Sequence, residues 1–423
     1  MRYGKLWFWF AAVILGSFAV LGYYGAQLYH QKPPIPEQVV GADGKVLLTG
    51  QDIRDGQNVW QSMGGQEVGS LWGHGAYVAP DWSADWLHRE CLILLERLAM
   101  AEHGKPYAGI GAEAQAVLKE RLKREIRTNR YDPATQVLTL SADRAAALGM
   151  LSRYYGALFG TATDFPDDLK VFADNGMNAA ELRSAYAISS GAVHDPGRQR
   201  LLGAFFFWAA WACGTERPGT LPAAAGVTYT NNWPSEALID NRPSGALVVW
   251  SVVSFVLLLA GVGALAGYYA ALRRRPAPAA GLPHEDPLLA LQPTPSMKAT
   301  LAYFWTVAAL LVVQVALGAI TAHYGVEGTG FYGLPLAQWL PYSVTRTWHT
   351  QLGIFWIATA WLATGLFIAP AVSGHEPRFQ KHGVVFLFLS LLVIVVGSMA
   401  GTWYGTRQKM GLETNFWFGH QGL

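Results

Sequence analysis

Apolar stretches long enough to cross a bilayer constrain this chain more than any other feature. Five of them lie at about 6–28, 246–271, 300–322, 347–370 and 383–403. A membrane-spanning helix takes roughly 20 apolar residues, and it satisfies its backbone hydrogen bonds within the segment. A shorter apolar run, 201–213, predicts a buried helix of a soluble domain. The sequence therefore predicts an all-α membrane protein with about five transmembrane helices.

The composition agrees with a membrane protein and excludes some function classes. Hydrophobic residues make up 52% of the 423 residues and charged residues only 14%, against about 25% charged in a typical soluble domain. No Lys/Arg run is long enough to predict nucleic-acid binding. The two cysteines, Cys91 and Cys213, are too few for a disulfide framework, although one bridge between them stays open. Without a Cys-x-x-Cys-His motif, covalent haem c is excluded.

Basic residues predict how the spans are oriented. Lys and Arg gather before span 1, between spans 2 and 3, and between spans 4 and 5, namely at Arg2, Lys5, Arg273, Arg274, Arg275, Lys298, Arg378 and Lys381. The positive-inside rule makes these places cytoplasmic in a bacterial cytoplasmic membrane. The segment 29–245, the loop 323–346 and the tail after about 404 then lie outside, in the periplasm of a Gram-negative cell. The first run, without an Ala-x-Ala site, predicts a retained anchor rather than a signal peptide.

The segment 29–245 is predicted to be one compact, mostly helical domain. Helical patterns cover about 51–63, 83–102, 111–127, 141–160, 178–189 and 198–214. Ser141 is a candidate N-cap, and 136–140 predicts one short strand. The stretch from Tyr229 to Pro234 leads back toward the membrane, and the proline-rich loop 273–298 is predicted to be a linker.

One histidine within a span is the sharpest candidate for chemistry. An ionisable residue in a membrane is costly and is by default a functional hypothesis. His349 lies near the outer end of span 4, and a neutral imidazole is a good axial ligand of haem iron. Arg346, one helical turn earlier on the same face, could neutralise a haem propionate. The alternative is an interfacial histidine bonded to a neighbouring helix, and spacing alone leaves both open.

A second cluster ends span 3. His323 and Glu327 are four residues apart and share a face if the helix continues that far. Together they could accept the two protons of a quinol, with Phe331 against its ring. The alternative is a polar helix end closed by a charged pair, which the sequence alone favours.

A third candidate is the glycine-rich turn from Gly73 to Trp82. Its backbone at Gly75 and Tyr77 could approach a ligand closely, and loop carbonyls could bind a hard cation such as calcium. A tight turn before a helix is the alternative, and on this turn alone it is the better interpretation.

Five stretches together resemble the quinol-dependent nitric oxide reductases of the haem-copper oxidase superfamily. They read GQNVWQSMGGQEVGSLWGHGAYVAPDWSADWLHRE, TYTNNWPSEALIDNRP, GAITAHYGVEGTGFYG, RTWHTQLGIFWIA and LETNFWFGHQG. The resemblance implies a transmembrane anchor over 1–28 and a domain over 29–245 with a cytochrome c-like fold that carries no haem. It implies that 246–423 supplies the first helices of the catalytic bundle.

The resemblance also implies roles for the candidate residues. His349 becomes one of two axial ligands of the low-spin haem b, with Arg346 at a propionate. His323, Glu327 and Phe331 become the quinol site. The backbone at Gly75 and Tyr77 would face the haem propionates, where related two-subunit enzymes hold calcium.

The implied reaction joins two NO with two electrons and two protons to give N2O and water. In the family, a high-spin haem b and a non-haem iron hold the substrate, and later helices carry their histidines. We therefore expect this chain to be a front part that does not reduce NO alone. Two alternatives remain: a membrane-anchored b-type cytochrome that relays electrons, and a solute-gating or structural membrane protein. Whether two copies pair as a homodimer is left open.

Overall fold

A computed structural model describes residues 3–218, 226–273, Leu289 and 291–420. The long apolar helices are α1 (Tyr3–Gln31), α8 (Gly245–Arg273), α10 (Leu301–Glu327), α11 (Tyr342–Ser373) and α12 (Gln380–Thr406). Within the described residues, five helical segments are long and apolar enough to cross a membrane. The five predicted spans are thus confirmed. The linker predicted at 273–298 lies mostly outside the described residues, and its last residues belong to the short helix α9 (Pro295–Ala299).

Three of the long helices form a bundle. Helices α10, α11 and α12 meet around Leu317, Leu352 and Val395, which are at most 5% exposed. A second cluster along the same helices contains Tyr303, Ala363 and Val384. By contrast, the described side chains of α1 and α8 are exposed along almost the whole of both helices. Their continuous apolar surfaces suit a lipid environment, in which a helix needs no polar face.

The remaining elements form a mostly helical unit that we call the head. Its helices are α2 (Gly50–Ser62), α3 (Trp82–His103), α4 (Ala112–Arg127), α5 (Ala142–Phe159), α6 (Ala179–Ala185) and α7 (Pro196–Gly214). Its strands are β1 (Gln38–Val40), β2 (Val46–Thr49), β3 (Tyr131–Asp132) and β4 (Val137–Thr139). A last short helix, α13 (Leu412–Phe418), follows α12 and returns to the head, against α2.

The head contains more β structure than the sequence indicated. The predicted strand is present as β4, but it belongs to a four-stranded sheet in the order β2-β1-β4-β3. Strand β1 pairs with β4 in parallel, with Val39 opposite Leu138. The other three strands were missed because each has only two to four residues. Strands this short show no alternating pattern, and the central pairing of β1 with β4 joins residues about a hundred positions apart in the chain.

Local capping agrees with the prediction in one place and corrects it in another. The Ser141 hydroxyl accepts a hydrogen bond from the Arg144 amide at 3.3 Å, so the predicted N-cap is confirmed. Helix α6 ends at Ala185 rather than at about 189, and Ala187 adopts a positive φ of 52° that stops the helix. Cys91 and Cys213 are both free and buried, so no bridge joins them.

Aromatic packing fills the core of the head. The rings of Trp82 and Phe206 stack at 5.9 Å, and Trp86 stacks on Tyr155 at 5.1 Å. Helix α7 carries the 201–213 run, and most of that run is buried, which confirms the predicted buried helix. Aromatic pairs at these distances add about 0.5–1.5 kcal/mol each beyond their buried area. The head thus has an aromatic core built mainly from its own helices.

The head packs onto one end of the three-helix bundle. Tyr324 of α10 and Tyr342 of α11 are buried in the same cluster as the core of the head. Across this boundary the Gln408 side-chain amide donates to the Ser62 hydroxyl at 2.9 Å. We call this end of α10, α11 and α12 the head end. Side chains there are held by the bundle and by the head together.

Candidate functional site

The predicted haem ligand lies two turns into a span. Helix α11 begins at Tyr342, so His349 is part of a regular helix and partly buried against α10. Its ring packs over Gly318 of α10, where an added Cβ would lie 2.7 Å from the imidazole Cε1. A glycine at this position lets the two helices approach with the imidazole between them.

A hydrogen bond to α10 decides the tautomer of this histidine. The Nδ1 of His349 lies 2.8 Å from the main-chain carbonyl oxygen of Gln314. Because a carbonyl only accepts hydrogen bonds, Nδ1 must carry the proton. The lone pair is therefore on Nε2, the tautomer that metal-ligating histidines adopt when a carbonyl orients their other nitrogen. The donor set at His349 fits an axial ligand of haem iron.

The predicted propionate partner, Arg346, contacts a glutamate of the head. Its Nε lies 3.0 Å from Glu67 Oε2, and its Nη1 donates to the Glu67 main-chain oxygen at 2.8 Å. Burial raises the pKa of the Glu67 carboxyl, and the charge of Arg346 opposes that rise. Sequence reasoning missed Glu67, which lies 279 residues from Arg346. The one available signal was its place in the first stretch that carries the family resemblance.

A histidine near the end of the described chain packs against the same turn of α11. The hydroxyl of Thr347 lies 3.0 Å from Nε2 of His420. The His420 main-chain amide donates to the Asn415 side chain at 2.9 Å, while its Nδ1 is buried without a hydrogen-bond partner among the described residues. Burial lowers the pKa of His420 to about 4. The sequence predicted only a position in the outer tail, whereas the structure brings His420 next to the turn that carries His349.

The predicted quinol residues come together at the head end of α10. The helix continues to Glu327, so His323 and Glu327 share a face, with His323 Nε2 at 3.2 Å from Glu327 Oε2. The two atoms are close, but the His323 Nε2 makes no aligned hydrogen bond among the described residues. The His323 side chain is 13% exposed and that of Glu327 56%, so one group is shielded and the other faces out.

Two aromatic rings complete this cluster. Phe331 meets His323 edge to face at 4.9 Å between ring centroids. Tyr332, which sequence reasoning did not select, stacks on His323 at 4.5 Å. The three rings therefore pack against one another, with the carboxylate of Glu327 beside the histidine. This arrangement can hold a flat aromatic diol and take its protons.

The glycine-rich turn is anchored by a buried carboxylate. Asp81 Oδ2 accepts hydrogen bonds from the Ser70 hydroxyl and from the Gly73 amide, both at 2.7 Å. Gly75 has a φ of +81°, a conformation that favours glycine. The ring of Tyr77 lies against α10, where a Cβ added to Gly325 would be 3.0 Å from Tyr77 Cε1. The turn therefore lies beside the His323 cluster, and its carboxylate is already engaged by backbone and hydroxyl donors.

No group of three or more His, Cys, Asp or Glu side chains that could hold a metal ion occurs in the described part of the chain. His349 and the quinol candidates are nevertheless all at the head end of two helices that pack along most of their length. The site thus places a histidine whose Nε2 could ligate haem iron near a separate His–Glu cluster that could accept protons.

Comparison with known families gives two matches. Residues 36–235 match the family described as the cytochrome c-like domain of the nitric oxide reductase NorB. Residues 298–423 match the family described as cytochrome c and quinol oxidase polypeptide I. A comparison with curated proteins gives no match. The two matched regions cover most of the head and the three-helix bundle, and they support an oxidoreductase of the haem-copper oxidase type.

Proposed function

Since the chain is a NorB-like protein of the haem-copper oxidase superfamily, we propose that it takes electrons from a membrane quinol for the reduction of nitric oxide. The observation that carries the proposal is the cluster of His323, Glu327 and Phe331 at the end of α10. The neighbouring helix α11 presents His349. Its location would be the bacterial cytoplasmic membrane, with the head on the periplasmic side.

At the quinol site, the chain's own residues bind the ring and accept protons. A quinol that becomes a quinone releases two electrons and two protons. The imidazole of His323 and the carboxylate of Glu327 would each receive one proton from a quinol hydroxyl. Glu327 is the more exposed of the two, so it can pass its proton on to water. Phe331 and Tyr332 would hold the ring in place by stacking and edge contacts.

His349 would be an axial ligand of a low-spin haem b through Nε2. When bound, this haem would carry single electrons from the quinol toward the site of NO reduction. Gln314 fixes the tautomer that His349 needs, and Gly318 gives its ring room. Arg346 would either leave Glu67 to contact a haem propionate or contact Glu67 and the propionate together. The complete reaction also needs the family's high-spin haem b and non-haem iron.

The domain limits 1–28, 29–245 and 246–423 belong to the same proposal. The same proposal includes a calcium ion bound by main-chain oxygens of Gly75 and Tyr77, because the turn exposes its backbone and Asp81 holds the turn rigid. Calcium prefers oxygen ligands, and main-chain carbonyl groups are among them.

The experiment compares two electron donors in proteoliposomes that contain the purified chain loaded with haem b. We expect a reduced quinol to reduce the haem in the original chain. Glu327→Gln and His323→Ala should slow this step by about 10²–10⁴-fold, the usual contribution of a positioned proton acceptor. Dithionite should reduce the haem equally fast in all variants. Glu113→Gln, an exposed carboxyl in the head, is the matched control and should behave like the original chain.

Equal losses with quinol and dithionite would show that the His323 cluster is structural, and the quinol proposal would fail. Uptake of NO and formation of N2O, measured with the chain joined to the family's later helices and their metal centres, separate the reductase from a b-type cytochrome that only relays electrons.

A further inference from the structure

A crevice lies between the head and the head end of the bundle, and none of the candidate haem and quinol residues lines it. Its deeper part, about 150 Å³, is lined by the loop 187–194 of the head, by Ser343 of α11 and by Arg407 and Lys409 just beyond α12. A shallower part of about 480 Å³ shares Ser189, Ser190 and Arg407 with it and continues to Gln338. The two parts therefore form one continuous groove that opens at the surface.

The groove carries positive charge without a carboxylate to balance it. Among the ion pairs of the described residues, none includes Arg407, Lys409 or His194. Asp195, next to His194 in the chain, is engaged as the N-cap of α7 and accepts from backbone amides there. Glu413, four residues after Lys409, does not line the groove. The Lys409 ammonium lies 4.8 Å above the ring of Trp403, which positions it beside the groove.

Ser189 and Ser190 line the same space as Arg407. Serine hydroxyls and a guanidinium are all hydrogen-bond donors, and the guanidinium matches the planar spacing of phosphate oxygens. An anion with several oxygens is therefore the ligand that the groove complements.

The position of the groove relative to the ends of the membrane spans indicates which class of anion it binds. Helix α12 ends at Thr406, directly before Arg407. One turn earlier, the Trp403 indole donates to the Trp339 main-chain oxygen at 2.8 Å, and tryptophans of this kind mark the membrane interface. Leu334 and Trp339 are 61% and 67% exposed and flank the lining stretch 335–338. The cationic groove is thus bordered by an apolar surface at headgroup level.

We propose that this groove binds the phosphate group of an anionic phospholipid, with the acyl chains along Leu334 and Trp339. Arg407 and Lys409 neutralise the phosphodiester, and Ser189 and Ser190 donate to its oxygens. The site is distinct from the quinol cluster, because His323, Glu327 and Phe331 do not line it and a quinol is uncharged. The proposal does not depend on the proposed function.

The test measures phospholipid bound to the full chain in detergent by native mass spectrometry. Phosphatidylglycerol is titrated against the original chain and against Arg407→Gln, Lys409→Gln and the double variant. Each basic residue near a charged lipid surface contributes about 1 kcal/mol, so each single variant should bind about fivefold more weakly and the double variant about thirtyfold. Lys105→Gln, an exposed lysine of the head, removes the same charge and should bind as the original chain does.

Two further arms identify the ligand. Phosphatidylcholine, which has a phosphate but no net charge, should bind at least about tenfold more weakly than phosphatidylglycerol. Inorganic phosphate should bind only weakly, because it lacks the acyl chains. Inorganic phosphate that binds as tightly as phosphatidylglycerol would overturn the lipid assignment. Phosphatidylglycerol binding that is unchanged in the double variant would overturn the site. Arg407→Lys keeps the charge, so in a correctly folded protein it should bind phosphatidylglycerol with most of the original affinity.

Discussion

The imidazole Nδ1 of His349 lies 2.8 Å from the main-chain carbonyl oxygen of Gln314, so α10 sets the tautomer of a histidine on α11. The approach needs the glycine at position 318, where even a methyl group would lie 2.7 Å from the imidazole. Helix packing and the geometry of the candidate haem ligand are therefore coupled in this bundle.

Gly318→Ala should disturb this coupling. The added methyl group must displace the His349 ring, so we expect haem b content after reconstitution to fall by about half or more, since supporting residues of metal ligands typically contribute 10–100-fold in affinity. Gly365→Ala on α11 adds the same methyl group where no atom lies within 4 Å, and it should leave haem content unchanged. Equal haem content in the two variants would mean that the contact with Gly318 has no influence on the ligand.

The buried ion pair of the head should contribute far more to stability than an exposed one. Glu90 and Arg144 are 1% and 4% exposed and lie 2.8 Å apart. Glu90→Gln leaves the guanidinium buried without its counter-charge, which costs about 3–5 kcal/mol. Asp168→Asn breaks the exposed pair with Arg153 and should cost about 1 kcal/mol or less.

Thermal unfolding of the detergent-solubilised chain, followed by tryptophan fluorescence, measures both variants. Similar melting temperatures for Glu90→Gln and Asp168→Asn would show that the buried pair does not stabilise the head.

His420 should make the chain sensitive to mild acid. Burial lowers its pKa from 6.5 to about 4, so the folded state binds fewer protons than the unfolded state between these values. The stabilisation is complete above pH 6.5 and is lost as the pH falls toward about 4. Amide hydrogen exchange over α13, corrected for the intrinsic effect of pH, should therefore rise over this window. His420→Gln should remove this pH dependence of hydrogen exchange, whereas His375→Gln, at an exposed histidine, should keep it. If the exchange in His420→Gln depended on pH as it does in the original chain, the acid sensitivity would belong to other groups.

The proposed orientation is open to a direct test. Reporter fusions after Val78 and after Arg275 should report opposite sides of the membrane, with the second in the cytoplasm, because Lys and Arg gather on that side. A fusion after Lys5 is the control and should agree with the one after Arg275. Reporters that place Val78 and Arg275 on the same side would contradict the orientation.

Much of the architecture could be predicted because hydropathy and helix periodicity are local properties. The five spans and the long helices of the head follow from windows of about twenty residues or fewer. The contacts of the site could not be predicted in this way. Glu67 meets Arg346 across 279 residues, and His420 meets Thr347 across 73. Which side chains converge depends on how the head packs on the bundle, and no local pattern encodes that packing.

Within the candidate site, spacing predicted one relationship well. His323 and Glu327 were expected on one face if the helix continued, and α10 does continue to Glu327. Tyr332 was overlooked because its stacking on His323 requires a backbone φ of 48° beyond the helix end, a conformation that residue type alone does not indicate.

The haem content of the purified chain shows whether His349 ligates haem b. The pyridine haemochrome spectrum of the chain reconstituted with haem b should show bound haem in the original protein and in His375→Ala, an exposed histidine just beyond the opposite end of α11. His349→Ala should lose most of the bound haem, because the side chain that would ligate the iron is gone. Unchanged haem content in His349→Ala would mean that His349 does not ligate the haem.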